Sequence, residues 1–128
     1  MPKKLAAAEA KSEIRKALLN KKYKYLIAIL GGKVVGVCYI DITFIHFQVI
    51  RIGNLLVKED QRGKGVGSVL IDKVIEFANK NNVKKIWLWS HKELKDATNL
   101  YKKKGFKVEW LQKSQFCGKD TLLFGLVL

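Results

Sequence analysis

A glycine-rich segment near the middle of the chain joins a strand-like pattern to a helix-like one, and it constrains the fold more than any other feature. Before it, Leu55 to Val57 end a run of apolar residues that predicts a β-strand. After it, apolar residues recur at helical spacing from Gly65 until Asn79 to Asn82 end the pattern, which predicts an amphipathic helix. The predicted inward positions are Val66, Val69, Leu70, Val74 and Phe77. Glycines 63, 65 and 67 let the chain turn sharply between the two elements.

The remaining patterns alternate between helix and strand. A helix is predicted at residues 5–20, and a hairpin with Gly31-Gly32 as its turn follows. The next turn is placed near Ile45 to Phe47, where no Gly, Pro or Asn marks it. The other predicted elements are a strand from Lys84 to Trp89, a helix from Lys92 to Lys104 with Leu94, Ala97, Leu100 and Tyr101 inward, and strands from Phe106 to Leu111 and Thr121 to Leu128. This order predicts a mixed sheet with helices packed on it.

Length and composition fit one soluble domain covering residues 1–128. No apolar stretch approaches a membrane span and no secretory leader is recognised, so we expect a cytoplasmic protein without a membrane partner. The two cysteines, Cys38 and Cys117, lie far apart, and the chain has only two histidines. These numbers and spacings favour neither a disulfide scaffold nor a metal site.

Net charge and the glycine-rich segment both favour a phosphate-bearing ligand. The formal charge of +14 attracts polyanions, which include nucleic acid, acidic proteins and phosphorylated cofactors. The free N–H groups in the first turn of the predicted helix point at an anion, and Arg62 and Lys64 add positive charge. We therefore expect an anion site at this turn.

The glycine spacing discriminates among cofactor loops. A P-loop requires GxxxxGK followed by Ser or Thr, which this segment lacks. A dinucleotide loop requires GxGxxG, but Ser68 stands where the third glycine belongs. Lys84 and Lys85 also occupy the region where an acidic ribose ligand would follow. Both readings are therefore weak.

Two motifs resemble those of the GNAT superfamily of acetyl-CoA-dependent N-acetyltransferases. The first is Arg62-x-x-Gly65-x-Gly67, which is similar to the family's pyrophosphate loop. The second is Ala97-x-x-Leu100-Tyr101-x-x-x-Gly105-Phe106, which is similar to its last helix and the turn beyond it. The resemblance implies an α/β (α+β) fold with a mixed, mostly antiparallel sheet and helices on both faces.

The resemblance also implies the site. Acetyl-CoA would be held by the strand before the loop, by the loop backbone and by the start of the helix, with core packing or a tight turn as the alternative role for these residues. The implied cofactor-binding residues are Leu55, Leu56, Val57, Arg62, Gly63, Lys64, Gly65, Val66, Gly67 and Ser68. Tyr101 matches the tyrosine that donates a proton to the departing CoA sulfur in many relatives. Its alternative role is that of an inward aromatic on a core helix.

The chain departs from the family pattern at the proton acceptor. Some relatives carry a glutamate base where this chain has Arg51, so that mechanism does not transfer. Asp41, His46 and His91 remain candidate substitutes, and none is preferred. Leu94 stands where many relatives place an asparagine that contacts the cofactor, which leaves Ser90 or Asp96 as replacements. Trp87 and Trp89 share one strand face and either wall an acceptor channel or pack in the core.

Three functions follow from these features. The first is acetyl transfer from acetyl-CoA to a primary amine of a protein, a peptide or a small molecule. An open acceptor side suits a protein or peptide amine, and the expected assembly is a monomer or homodimer. The second is a catalytically weak CoA-binding regulatory module of the same fold. The third is a basic nucleic-acid-binding protein using residues 3–22 and Lys102 to Lys104, which is less favoured because the lysines are scattered over most elements.

Overall fold

A computed structural model of the chain describes residues 22–128, and the helix predicted at residues 5–20 lies outside them. The described chain runs through three strands, an α-helix, a fourth strand, a second α-helix and two final strands. The strands are β1 (Tyr23–Leu30), β2 (Lys33–Asp41), β3 (Val49–Val57), β4 (Lys85–His91), β5 (Lys107–Phe116) and β6 (Lys119–Val127). The helices are α1 (Val66–Lys80) and α2 (Lys95–Lys103), with short 3₁₀ helices at Ile45–Phe47 and Glu59–Gln61.

The strands form one mixed sheet in the order β1-β2-β3-β4-β6-β5. All neighbours are antiparallel except β3 and β4, which are joined by the crossover through α1. This arrangement confirms the predicted α/β fold with a mixed, mostly antiparallel sheet. The predicted turn near Ile45 to Phe47 is also confirmed, and it ends at Gln48 in the left-handed conformation, with φ of 63°.

Two hairpins close on residue pairs with positive φ. Gly31 and Gly32 have φ of 58° and 75° between Leu30 and Lys33, as the sequence predicts. Cys117 and Gly118, with φ of 51° and 72°, join β5 to β6. Positive φ at both central residues matches the twist of antiparallel strands. Because the second hairpin is this tight, β5 continues well beyond the predicted end at Leu111.

A bulge bends β3 away from β4. Between β2 and β3 the pairing steps from Tyr39↔Gly53 to Val37↔Leu56, so β3 holds one more residue than its partner there. Asn54 takes φ of 47° at this step. The parallel pairing of β3 with β4 ends at Arg51↔Trp87. Because β-bulges kink a strand and end its pairing, the two strands diverge beyond Arg51 and a gap opens between them.

The core lies between the sheet and the helices. Helix α1 packs against β1, β2 and β3, and its buried residues are Leu70, Ile71, Val74 and Ala78. The core also includes Cys38, Ile40, Ile50, Ile52, Ile86, Leu88, Phe106 and Phe124. Neither described helix combines the length and hydropathy that a membrane span requires.

Two predicted inward residues are exposed instead. Val69 is 55% exposed because the helix faces the sheet through the positions from Leu70 to Ala78. Leu94 is 51% exposed because α2 begins only at Lys95. The preceding turn is fixed by Lys92 N–H, which donates to the Asp120 carbonyl at 3.0 Å.

Candidate active site

A groove of about 860 Å³ runs between the end of β3, the glycine-rich loop and the first turns of both helices. Its lining includes Leu55, Leu56, Val57, Arg62, Gly63, Gly65, Val66, Gly67, Ser68 and Tyr101. The residues predicted to bind the cofactor, apart from Lys64, line this groove together with Tyr101, and Lys64 is exposed on the loop. Two distant segments of the sequence thus form one site.

Backbone donors converge at the start of α1. Gly63 and Gly65 have φ of 75° and 84°, backbone conformations that residues with a side chain rarely adopt. The first α-helical hydrogen bond runs from Val69 N–H to the Gly65 carbonyl at 3.0 Å. The N–H groups of Val66, Gly67 and Ser68 precede it and have no partner within the helix. With the positive end of the helix dipole, they make an anion-binding end for the groove.

Arg62 braces the loop rather than projecting freely from it. Its Nε donates to the Val57 carbonyl at 3.1 Å. Lys58 N–H donates to Val35 of β2 at 2.8 Å, and alternate residues of a strand turn their backbone groups to opposite sides. The backbone of Val57 therefore faces away from β2, into the groove. Arg62 occupies the Val57 carbonyl, and the Val57 N–H faces the groove, where it can donate to a ligand.

Tyr101 enters the groove from α2. The residue is 6% exposed, and its ring packs against those of Phe106 and Phe124, with centroids 6.1 and 5.5 Å away. Burial, and secondarily the neighbouring Cys38 thiol, raise the pKa of Tyr101 to about 12. The phenol is therefore protonated at neutral pH and can donate a hydrogen bond.

The start of α2 supplies groove residues that the sequence analysis did not assign. Glu93 and Lys95 line the groove, as does Gln61 beside the loop. The predicted helix start at Lys92 put Glu93 and Lys95 inside the helix, whereas α2 begins only at Lys95. Of the two candidate replacements for the missing asparagine, Asp96 lines the groove, whereas Ser90 is buried away from it.

The candidate bases lie elsewhere. Burial alone would raise the pKa of Asp41, but hydrogen bonds from Thr43 and Arg51 together lower it. Asp41 is therefore a poor proton acceptor. His46 is exposed in the 3₁₀ turn and His91 ends β4, and neither lines the groove. Trp87 and Trp89 pack edge to face with ring centroids 6.2 Å apart, on the sheet face opposite to that of Ile86 and Leu88.

Comparison with curated proteins finds N-acetyltransferases. The chain is 34% identical over 87 residues to an uncharacterised N-acetyltransferase of Methanocaldococcus jannaschii, a match that covers 65% of this chain and 38% of that protein. It is 25% identical over 114 residues to a putative [ribosomal protein bS18]-alanine N-acetyltransferase of Bacillus subtilis, covering 87% and 74%. The chain thus spans well under two thirds of the length of the first relative.

Solved structures share the fold. An IAA acetyltransferase from Bacillus cereus superposes with a TM-score of 0.81 at 23% identity, covering 100% of this chain and 93% of that one. A GNAT family acetyltransferase from Elizabethkingia anophelis with acetyl-CoA bound superposes with a TM-score of 0.79 at 21% identity, covering 92% and 83%. The sequence pattern described as Acetyltransferase (GNAT) family matches residues 3–106, which is most of the chain. The chain therefore belongs to the GNAT acetyltransferase family.

Proposed function

We propose that the protein transfers an acetyl group from acetyl-CoA to a primary amine by direct attack. The observation that carries this proposal is the meeting of the loop donors and Tyr101 in one groove. The N–H groups of Val66, Gly67 and Ser68 hold the pyrophosphate, and the Val57 N–H pairs with the pantetheine arm as a neighbouring strand would. The related fold from Elizabethkingia anophelis with acetyl-CoA bound supports this choice of cofactor.

Transfer forms a bond between the amine nitrogen and the acetyl carbon and breaks the bond from that carbon to sulfur. The amine loses one proton to water, and the sulfur leaves as a thiolate. Tyr101, with a pKa of about 12, holds its proton more tightly than a thiol whose ordinary pKa is about 8.5. Tyr101 therefore stabilises the thiolate chiefly by donating a hydrogen bond, and positioning supplies much of the remaining catalysis.

A protein or peptide amine is the proposed acceptor. The relative from Bacillus subtilis, named for an alanine of a ribosomal protein, supports this class. Nucleic acid is a weaker candidate, because the basic run at Lys102 to Lys104 is partly neutralised by the ion pair of Lys104 with Asp72 at 2.8 Å.

Thermal unfolding with separately added acetyl-CoA, CoA, NAD and ATP at fixed moderate salt tests the cofactor. At about a hundred times its dissociation constant, a ligand adds roughly 2.7 kcal/mol to the free energy of unfolding. We expect acetyl-CoA and CoA to raise the unfolding midpoint much more than NAD and ATP do. The variant Gly65→Glu should lose this shift.

Gly32→Glu is the matched control, since Gly32 also has positive φ and open space around it but belongs to the first hairpin and does not line the groove. It should lower the midpoint of the free protein and keep the acetyl-CoA shift. Equal shifts with all four ligands would identify a general anion site and contradict the proposal. Tight acetyl-CoA binding without acetylation of any added amine, and so without release of CoA, would instead indicate a CoA-binding regulatory module.

A further inference from the structure

A second cavity of about 470 Å³ opens beside the groove, between the first turn of α2 and the hairpin that joins β5 to β6. Its lining residues are Lys92, Glu93, Lys95, Gly118, Lys119 and Asp120. Two of them, Glu93 and Lys95, also line the groove, so the two spaces share a wall. The described residues around the cavity include none from the glycine-rich loop. The cavity therefore adjoins the groove at the start of α2, separate from the loop donors.

Two contacts tie the hairpin to the start of α2. Lys92 N–H donates to the Asp120 carbonyl at 3.0 Å. Lys119 Nζ pairs with Glu93 Oε2 at 3.1 Å. The Asp120 carboxylate in turn accepts a hydrogen bond from Ser114 N–H at 3.2 Å, through its Oδ1. Both carboxylates of the cavity lining are therefore already engaged by other groups of the described chain.

Two lysine side chains of the lining remain available to a ligand. Among the described residues, no hydrogen bond or ion pair engages the Nζ of Lys92 or of Lys95. Both side chains are exposed to solvent. Asp96 follows Lys95 directly, but adjacent residues of a helix do not face each other. The cavity thus offers two available ammonium groups and favours an anionic ligand.

Resting on the proposed function, we propose that this cavity binds a carboxylate of the acceptor, so that the protein favours amines carried next to an aspartate or glutamate. The acceptor amine must reach a thioester that lies in the groove, and a side chain close to that amine can enter the adjoining cavity. Lys92 and Lys95 then donate charge-assisted hydrogen bonds to the carboxylate. The formal charge of +14 also speeds the approach of an acidic acceptor.

The cofactor carries a second anionic group of its own, the phosphate on its ribose. That phosphate is attached close to the pyrophosphate, which the loop holds in the proposed function. The cavity has no loop residue in its lining. Its position therefore favours a carboxylate of the acceptor over the ribose phosphate of the cofactor, and the experiment includes both anions.

Two peptide pools test the preference for an acidic acceptor. Each aspartate and glutamate of the acidic pool is replaced by asparagine or glutamine in the amide pool, and the sequences are otherwise identical. Every peptide carries an α-amine, a lysine and an amidated C-terminus, so either primary amine can react and no other carboxylate is present. At low peptide concentration and moderate salt, we expect the acidic pool to be acetylated about fivefold faster or more, since each exposed ion pair contributes up to about fivefold. Equal rates overturn the proposal.

Lys92→Gln assigns the preference to the cavity, because Lys92 lines the cavity and not the groove. This variant should lower the ratio of acidic to amide rates about twofold or more, and adding Lys95→Gln should bring the ratio near one. The matched control is Lys102→Gln with Lys103→Gln, which removes the same charge from exposed positions of α2 outside both linings. The control should keep the wild-type ratio. An equal fall in the control would assign the preference to net charge and overturn the proposal.

Calorimetry with acetyl-CoA and with acetyl-dephospho-CoA, which lacks the ribose phosphate, separates the two anions. Lys92→Gln should leave both dissociation constants within about twofold of wild type, because Lys92 does not line the groove. Loss of affinity for acetyl-CoA alone, with the peptide ratio unchanged, would place the cofactor phosphate in the cavity and overturn the proposal. Binding of acetyl-CoA with acetylation of neither pool also overturns it, whereas failure of wild-type protein to bind acetyl-CoA overturns the proposed function itself. If a variant does not fold, the wild-type ratio still decides the preference.

Discussion

Gly67 of α1 contacts Leu100 of α2 so closely that a methyl group added at Gly67 would lie 3.2 Å from Leu100 Cδ2. The same methyl group would approach Val57 and Leu55 at 3.8 and 4.0 Å. Gly67 therefore lets the first turn of α1 approach the helix that carries Tyr101. The two motifs recognised in the sequence meet at this contact.

We expect Gly67→Ala to weaken acetyl-CoA binding more than it weakens the fold. The end of the Leu100 side chain can shift by a few tenths of an ångström, and alanine gains roughly 0.8 kcal/mol of helix propensity over glycine. The free energy of unfolding should change by less than about 1 kcal/mol. The added methyl group nevertheless takes up space in the groove that Gly67 lines, so the dissociation constant measured by calorimetry should rise several-fold. An unchanged constant would show that Gly67 serves packing alone.

Arg62→Ala and Lys64→Ala remove the same charge from the same loop, but we expect only the first to impair cofactor binding. Arg62 braces the Val57 carbonyl, whereas Lys64 is exposed outside the groove lining. The KM for acetyl-CoA should rise at least fivefold in Arg62→Ala and less than twofold in Lys64→Ala, measured at two salt concentrations. Equal losses that disappear at high salt would assign the effect to charge instead.

Tyr101→Phe should lower kcat by about 10- to 100-fold while leaving the KM for acetyl-CoA within about twofold, as the loss of one hydrogen bond to developing charge predicts. The ring contacts with Phe106 and Phe124 survive in the variant, so the free energy of unfolding should change by less than about 1 kcal/mol. With a pKa of about 12, Tyr101 should add no fall in kcat between pH 7 and 10. Unchanged kcat would leave Tyr101 as a core aromatic.

The residues that line the groove were predictable where the information is local. The glycine spacing from Arg62 to Gly67 and the spacing from Ala97 to Phe106 each lie within one short segment. Turn and capping preferences act over a few residues, which makes such features visible in a sequence.

Features that depend on strand register were not predictable in this way. Asn54 gives no local sign that it takes positive φ, because the bulge arises from the pairing of β2 with β3. The ion pair of Arg51 with Asp41 likewise requires these residues to face each other on adjacent strands. The turn at Lys92 to Leu94 depends on Asp120, far along the chain.

Buried Cys38 predicts a loss of stability at alkaline pH. Burial raises the pKa of Cys38 from 9.0 to about 12, and Tyr101 rises from 10.0 to about 12. The contribution of these two protonated groups to the free energy of unfolding is complete below pH 9. It is lost as pH rises toward 12, because the unfolded chain releases these protons first. Cys38→Ala should lower the free energy of unfolding by about 1 kcal/mol at pH 7. Between pH 9 and 11 the difference between variant and wild type should become smaller, because only wild type loses the Cys38 contribution. Denaturant titrations across this range measure the difference, and parallel curves would contradict the assignment.

Asn54→Val tests whether the bulge keeps the groove open. Asn54 has φ of 47°, which asparagine tolerates and a β-branched residue does not. Keeping this backbone conformation would therefore lower the free energy of unfolding of Asn54→Val by roughly 1–2 kcal/mol. The variant can relieve this strain by flattening the bulge, which would bring the end of β3 back toward β4 and narrow the gap. We expect a lower unfolding midpoint and at least a tenfold weaker affinity for acetyl-CoA. Asn54→Gly is the matched control, since glycine adopts positive φ freely and should keep both the affinity and the bulge. If valine costs stability without affecting affinity, the divergence of the strands is maintained by the surrounding sheet rather than by Asn54.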